Sequence, residues 1–97
     1  MRFEANLMLK QVHVLYSGNV QGVGFRFTCI SIAHQLKIVG WIRNLPGGGV
    51  ELVAEADEEI LKDMLSRVNG EFSQYIDNAD IQWFDPSGSF KDFTAKF

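Results

Sequence analysis

The sequence has one cysteine, Cys29, in 97 residues, so it can form no intrachain disulfide and no cysteine-based metal site. A lone thiol fits a reducing compartment, and a cytoplasmic location is expected. Positive charge is scarce. Nine Lys and Arg stand against twelve Asp and Glu, giving a net charge of −3 and a pI of about 5.2. Nucleic-acid and membrane-surface binding both depend on clustered cations, so neither partner is expected. Long apolar runs are missing too: nothing approaches the ~18 residues of a membrane-crossing helix. Residues 1–10, MRFEANLMLK, lack the long apolar run and small-residue cleavage site of a secretory signal. They show no periodicity and are read as a loose N-terminal extension, ordered or disordered. Proline occurs twice, and no internal linker, repeat or low-complexity segment interrupts residues 11–97, which form one domain. Histidine also occurs twice, and His13 and His34 are not spaced as a metal pair. No metal and no cofactor is expected, and the domain is expected to be a monomer.

What is present is a compact core's worth of apolar residues: 46% of the chain, with eight Phe and two Trp. A chain of this size buries roughly 60–70% of its unfolded surface. In residues 11–17, QVHVLYS, Val12, Val14 and Tyr16 alternate with His13, Leu15 and Ser17, which predicts a strand. A glycine-spaced turn follows over 18–24. Phe25, Cys29, Ile32, Ala33 and Leu36 then trace one helical stripe ending near Lys37. Residues 38–44 and 49–55 read as two strands joined across Pro46, Gly47 and Gly48, a hairpin. Asp57 is a plausible N-cap, with Glu58 and Glu59 suited to the first turn of a helix. The face Ile60, Leu61, Met64, Leu65 and Val68 continues that helix to a stop at Gly70. Residues 71–78 read as a loop, 79–84 as a fourth strand, and 90–97 as a fifth. The order β-α-β-β-α-β plus a short C-terminal strand predicts an α+β ferredoxin-like sandwich, a mainly antiparallel sheet covered on one face by two helices.

The segment richest in chemistry is SGNVQGVGFR, residues 17–26. Gly18, Gly22 and Gly24 let the backbone turn sharply and approach a ligand closely. The loop runs into a helix N-terminus, where the first amides lack partners and the macrodipole is positive. Inward-turned amides there form a nest for a tetrahedral oxyanion, and Arg26 can add a bidentate contact. The pattern is not a P-loop, which would end Gly-Lys-Ser/Thr. It is not a dinucleotide fingerprint either, because residue 27 is Phe where a third glycine is needed.

SGNVQGVGFR resembles the signature loop of the acylphosphatase family, G-x-V-Q-G-V-x-F-R, matching at Gly18, Val20, Gln21, Gly22, Val23, Phe25 and Arg26. GWIRNLPGGGV, residues 40–50, resembles that family's second signature through Gly40, Trp41, Asn44, Gly48 and Val50. The resemblance runs from about residue 11 to the C-terminus. It implies hydrolysis of an acyl phosphate to a carboxylate and inorganic phosphate, without metal or covalent intermediate. The amides of Gly18, Asn19, Val20, Gln21, Gly22, Val23 and Gly24 would cradle the phosphate. Arg26 would bind phosphoryl oxygens and Asn44 would orient the attacking water. The alternative is a non-catalytic phosphate or carbamoyl-phosphate binding module, similar to the acylphosphatase-like domain of hydrogenase-maturation proteins. Three positions depart from the family pattern: Asn19 where a basic residue is frequent, bulky Ile42, and Ala56 in place of a frequent glycine. They predict altered kinetics rather than loss of activity.

Other reactive side chains have plainer readings. Cys29 lies on the apolar stripe and reads as core. Glu51, Glu55, Glu58 and Glu59 read as a solvated edge and a helix start. Phe90, Phe93 and Phe97 read as core rather than a stacking platform.

Overall fold

The computed structural model describes residues 8–97; most of the expected N-terminal extension, residues 1–7, lies outside them. The elements run β1 (Leu9–Gly18), α1 (Phe25–Leu36), β2 (Val39–Asn44), β3 (Val50–Asp57), α2 (Glu58–Phe72), β4 (Ile76–Phe84) and β5 (Phe93–Ala95). The five strands form one sheet in the order β4-β1-β3-β2-β5. All neighbours are antiparallel except β2 and β5. This is the ferredoxin-like sandwich with an added edge strand.

The period-two alternation of β1 decides which side of the sheet is covered. Val12, Val14 and Tyr16 face Ala54, Leu52 and Val50 of β3, and these six, with Ile42 of β2, are all but fully buried. The helices close over that face. α1 contributes Phe25, Cys29, Ile32 and Ala33, and α2 contributes Leu61, Met64, Val68 and Phe72. Leu36 and Leu65 are packed at the edge of the core, whereas Ile60 is 36% exposed.

Several boundaries differ from the sequence reading, each for a packing reason. β1 starts at Leu9, two residues early, because Leu9 and Lys10 find partners in Asp57 and Ala56. α2 does not stop at Gly70 but runs to Phe72. A helix-interior glycine costs roughly 0.5–1 kcal/mol, while burying a Phe stabilises by about 1.5–3 kcal/mol. Phe72 is 5% exposed and its ring lies 4.8 Å from that of Phe25, so packing outweighs the local stop. The expected loop over 71–78 therefore shrinks to a turn, and β4 begins at Ile76, which pairs with Gly18 past a bulge at Ser17/Gly18. β5 is shorter than the expected 90–97; only Phe93–Ala95 pair with β2.

The uncovered face of the sheet corrects another expectation. Glu51 and Glu55 are not a solvated edge. Glu55 is 6% exposed, because the turn after β4 crosses the sheet and donates to its carboxylate from the amides of Ser87 (2.7 Å) and Gly88 (3.1 Å). Gln11 Nε2 adds a third bond at 2.7 Å. Glu51 is held between His13 Nε2 (2.6 Å) and Arg43 Nε (2.7 Å). Desolvation pushes both carboxyls up. For Glu51 the hydrogen bonds from His13 and Arg43 and their charges outweigh it. For Glu55 the donors are Ser87, Gln11 and Gly88. Both acids end below the usual carboxylate range.

Candidate active site

β1 delivers the chain to the loop through a contact that admits only glycine. Gly18 has φ +123°, and a Cβ there would lie 2.4 Å from Tyr75 O and 2.6 Å from Asp77 N. The next amide, Asn19 N, donates to Tyr75 O at 2.9 Å. That amide is committed to the fold. Val20 is fully buried and pins the loop to the core. Gly24, at φ +82°, is the N-cap of α1 and offers no side-chain cap. The first helical bond runs from Thr28 N to Gly24 O at 3.0 Å, so the amides of Phe25, Arg26 and Phe27 have no place in the helix ladder.

Gln21 does something the sequence reading missed. Its Nε2 donates to Leu45 O (2.9 Å) and Gly49 O (2.7 Å). Those carbonyls flank the β2–β3 turn, closed by Leu45 N to Gly49 O at 2.8 Å. The side chain of Gln21 therefore ties the glycine loop to the hairpin that carries Asn44. The available signal was weak: Gln21 is one of two amide side chains, with Asn19, in a loop otherwise of Gly and Val.

Arg26 stands half-buried on the first turn of α1, and Asn44 is exposed at the end of β2. In the antiparallel register Asn44 lies opposite Val50, as Ile42 lies opposite Leu52; its side chain thus belongs to the helix-covered face, the same side as α1. Arg26 and Asn44 line one open cavity of about 200 Å³ with Val20, Gly22, Gly24, Phe25 and Phe27. The space suffices for a tetrahedral anion and a water, whose share of liquid volume is about 30 Å³. The guanidinium carbon of Arg26 lies 5.1 Å from the centroid of the Phe97 ring. Phe97 is thus on the surface beside the site, not in the core as expected, while Phe93 is buried. Asn19 and Val23 are exposed on the loop.

The residues given plainer readings lie elsewhere. Burial pushes the Cys29 thiol up to about 12, so it stays protonated and inert. His34 Nε2 is 3.1 Å from Phe93 O, and His13 pairs with Glu51 on the opposite face. Among the described residues no three His, Cys, Asp or Glu side chains are grouped to hold a metal ion. Among them, too, no helix is long and apolar enough to cross a membrane.

A βαββαβ sandwich with a glycine loop feeding a helix N-terminus, and an arginine on its first turn, defines a class of small ferredoxin-like α+β domains. The family model described as acylphosphatase matches residues 12–95, and the chain belongs to the acylphosphatase family. An acylphosphatase of Caldanaerobacter subterraneus subsp. tengcongensis is 40% identical over 87 residues, covering 89% of this chain and 97% of that protein. The crystal structure of acylphosphatase from Bacillus subtilis superposes with a TM-score of 0.84 at 29% identity, covering 93% of this chain and all of the other. The chain also matches T. kodakarensis HypF, with a TM-score of 0.78 and 30% identity, but there it spans only 12% of the longer protein.

Proposed function

We propose that the protein hydrolyses acyl phosphates to a carboxylate and inorganic phosphate by direct attack of water, with Arg26 as phosphate anchor and Asn44 as the residue that places the water. The observation carrying this reading is that Arg26, from a helix, and Asn44, from a strand, line one cavity with Gly22 and Gly24. Its relatives named acylphosphatase support the reaction class.

An acyl phosphate is a mixed anhydride whose leaving group is a carboxylate, so a strong general acid is unnecessary. Phosphoryl transfer is accelerated largely by positioning and by stabilising spread negative charge. Free amides after Asn19 and at the start of α1, aimed with the positive end of the helix, would hold the phosphoryl oxygens. The Arg26 guanidinium would take two of them side by side. These donors are fixed before the reaction and need no reorganisation as charge builds. The Asn44 amide is too weak a base to remove a proton. It would hold water in line with the phosphorus, opposite the carboxylate, and a phosphoryl oxygen would accept the proton as the P–O bond to the acyl group breaks. The reaction is placed in the cytoplasm, in a monomer that works on a small molecule without a nucleic-acid partner. The single cysteine fits the cytoplasm, and the net charge of −3 argues against a nucleic-acid partner.

Benzoyl-phosphate turnover by the wild type, Arg26→Ala and Asn44→Ala tests this reading. Both variants should fold, as judged by circular dichroism, and each should lose at least about a hundredfold in kcat. Asn44→Ala should still bind inorganic phosphate and Arg26→Ala should not. Wild-type turnover no faster than buffer would sink the enzyme reading, and a requirement for Mg²⁺ would sink the metal-free mechanism.

A further inference from the structure

The site does not end at the phosphate loop. Phe27, the residue after Arg26, is 78% exposed on the first turn of α1, an unfavourable place for a large apolar ring unless something covers it. It lines the cavity of Arg26 and Asn44. It also lines a second cavity of about 490 Å³ between α1 and α2. That groove follows α1 through Thr28, Ser31 and Gln35, which share one side of the helix by their spacing. Ile32 contributes an apolar wall and Gly70 the opposite one. A Cβ at Gly70 would meet nothing within 4 Å, so this glycine in the last turn of α2 leaves the groove open where any side chain would narrow it.

Charges lining the two cavities are few. Among the described residues, Arg26 is the only cation lining the first. Arg67, in the groove, is engaged by Asp63 through two bonds of 3.2 Å, and Glu71 stands beside it. A second anionic group on the substrate would meet, among the described residues lining the two cavities, only Arg67, already engaged by Asp63, whereas an apolar group would cover Phe27.

We propose that this site selects acyl phosphates with an apolar acyl group, Phe27 packing against that group and the α1–α2 groove receiving its extension. The proposal rests on the hydrolase reading above. Its test compares acetyl, benzoyl, octanoyl and succinyl phosphate in the wild type, Phe27→Ser and Gly70→Met. In the wild type kcat/KM should rise from acetyl to octanoyl phosphate by at least about tenfold, chiefly through KM, as methylene groups enter an apolar site. Succinyl phosphate, with its extra carboxylate, should be the poorest substrate. Phe27→Ser should lower both the benzoyl-to-acetyl and octanoyl-to-acetyl ratios. Gly70→Met, which fills the groove while improving helix propensity, should lower only the octanoyl ratio. Ratios unchanged in Phe27→Ser, or a wild type that prefers succinyl phosphate, would overturn the selectivity and leave the hydrolase standing. A wild type that turns over none of the four would overturn both.

Discussion

Gln21 is the side chain on which the site's geometry turns, although it touches no part of the proposed chemistry. Its two bonds to Leu45 O and Gly49 O join the loop before α1 to the turn after β2. A net contribution of about 0.5–1.5 kcal/mol per bond makes Gln21→Ala destabilising by roughly 1–3 kcal/mol. Asn44, next to Leu45, would lose its fixed distance from the loop, so kcat should fall about tenfold or more with a smaller change in KM, because a misplaced water costs rate before it costs binding. Thermal unfolding together with benzoyl-phosphate kinetics checks both effects; a variant with native kcat would mean that the link to the hairpin is dispensable. That Arg26 and Asn44 line one cavity was foreshadowed by the two signatures that single them out. The task of Gln21 was not, because its acceptors are backbone carbonyls, which leave no trace in residue identity. Glu51 and Glu55 were misread for a related reason. Their donors come from other strands and from the amides of Ser87 and Gly88, so neither carboxylate could be recognised as paired from its own neighbourhood.

At the scale of elements, periodicity located both helices and the first three strands, and tertiary packing moved their ends. Asp57 illustrates a local signal that held and then proved to do more. Its Oδ2 accepts from Glu59 N at 3.2 Å as the α2 cap, while Oδ1 accepts from Met8 N at 2.9 Å. Glu58 N in turn donates to Met8 O at 2.9 Å. One carboxylate therefore caps a helix and fastens the start of the first strand. Asp57→Ala should cost about 1–2 kcal/mol, and Asp57→Asn distinctly less, measured by urea unfolding. Equal losses in the two would show that the charge matters and the cap geometry does not. The turn over 73–75 and the early start of β4 were illegible for the opposite reason. Gly70 is a sound stop signal, and it was overruled by Phe72 reaching the ring of Phe25 from far along the chain.

Over the whole molecule, the two faces of the sheet divide the labour: one carries the core and the site, the other a set of paired charges. Glu51 and Glu55 have folded-state values below the ordinary 4.5. Their stabilisation is therefore complete above the unfolded value and is lost as pH falls through the depressed folded one. The melting temperature should hold level from pH 7 to about 5 and fall below about 4.5. The double variant Glu51→Gln, Glu55→Gln should start lower and decline less steeply. Parallel acid limbs in calorimetry would place the acid sensitivity in other groups. The strand order also governs how the protein is made. β1, first of the described strands, sits between β3 and β4, with Val12 facing Ala54 on one side and Trp83 on the other. Only β2 and β3 are joined by a short turn, so most pairings must wait for distant chain, a topology that slows folding. On a ribosome, the loop before α1 stays unset until Tyr75, whose carbonyl accepts from Asn19 N, has emerged. Catalytic competence should thus arrive late in synthesis, long after the signature residues themselves have been translated.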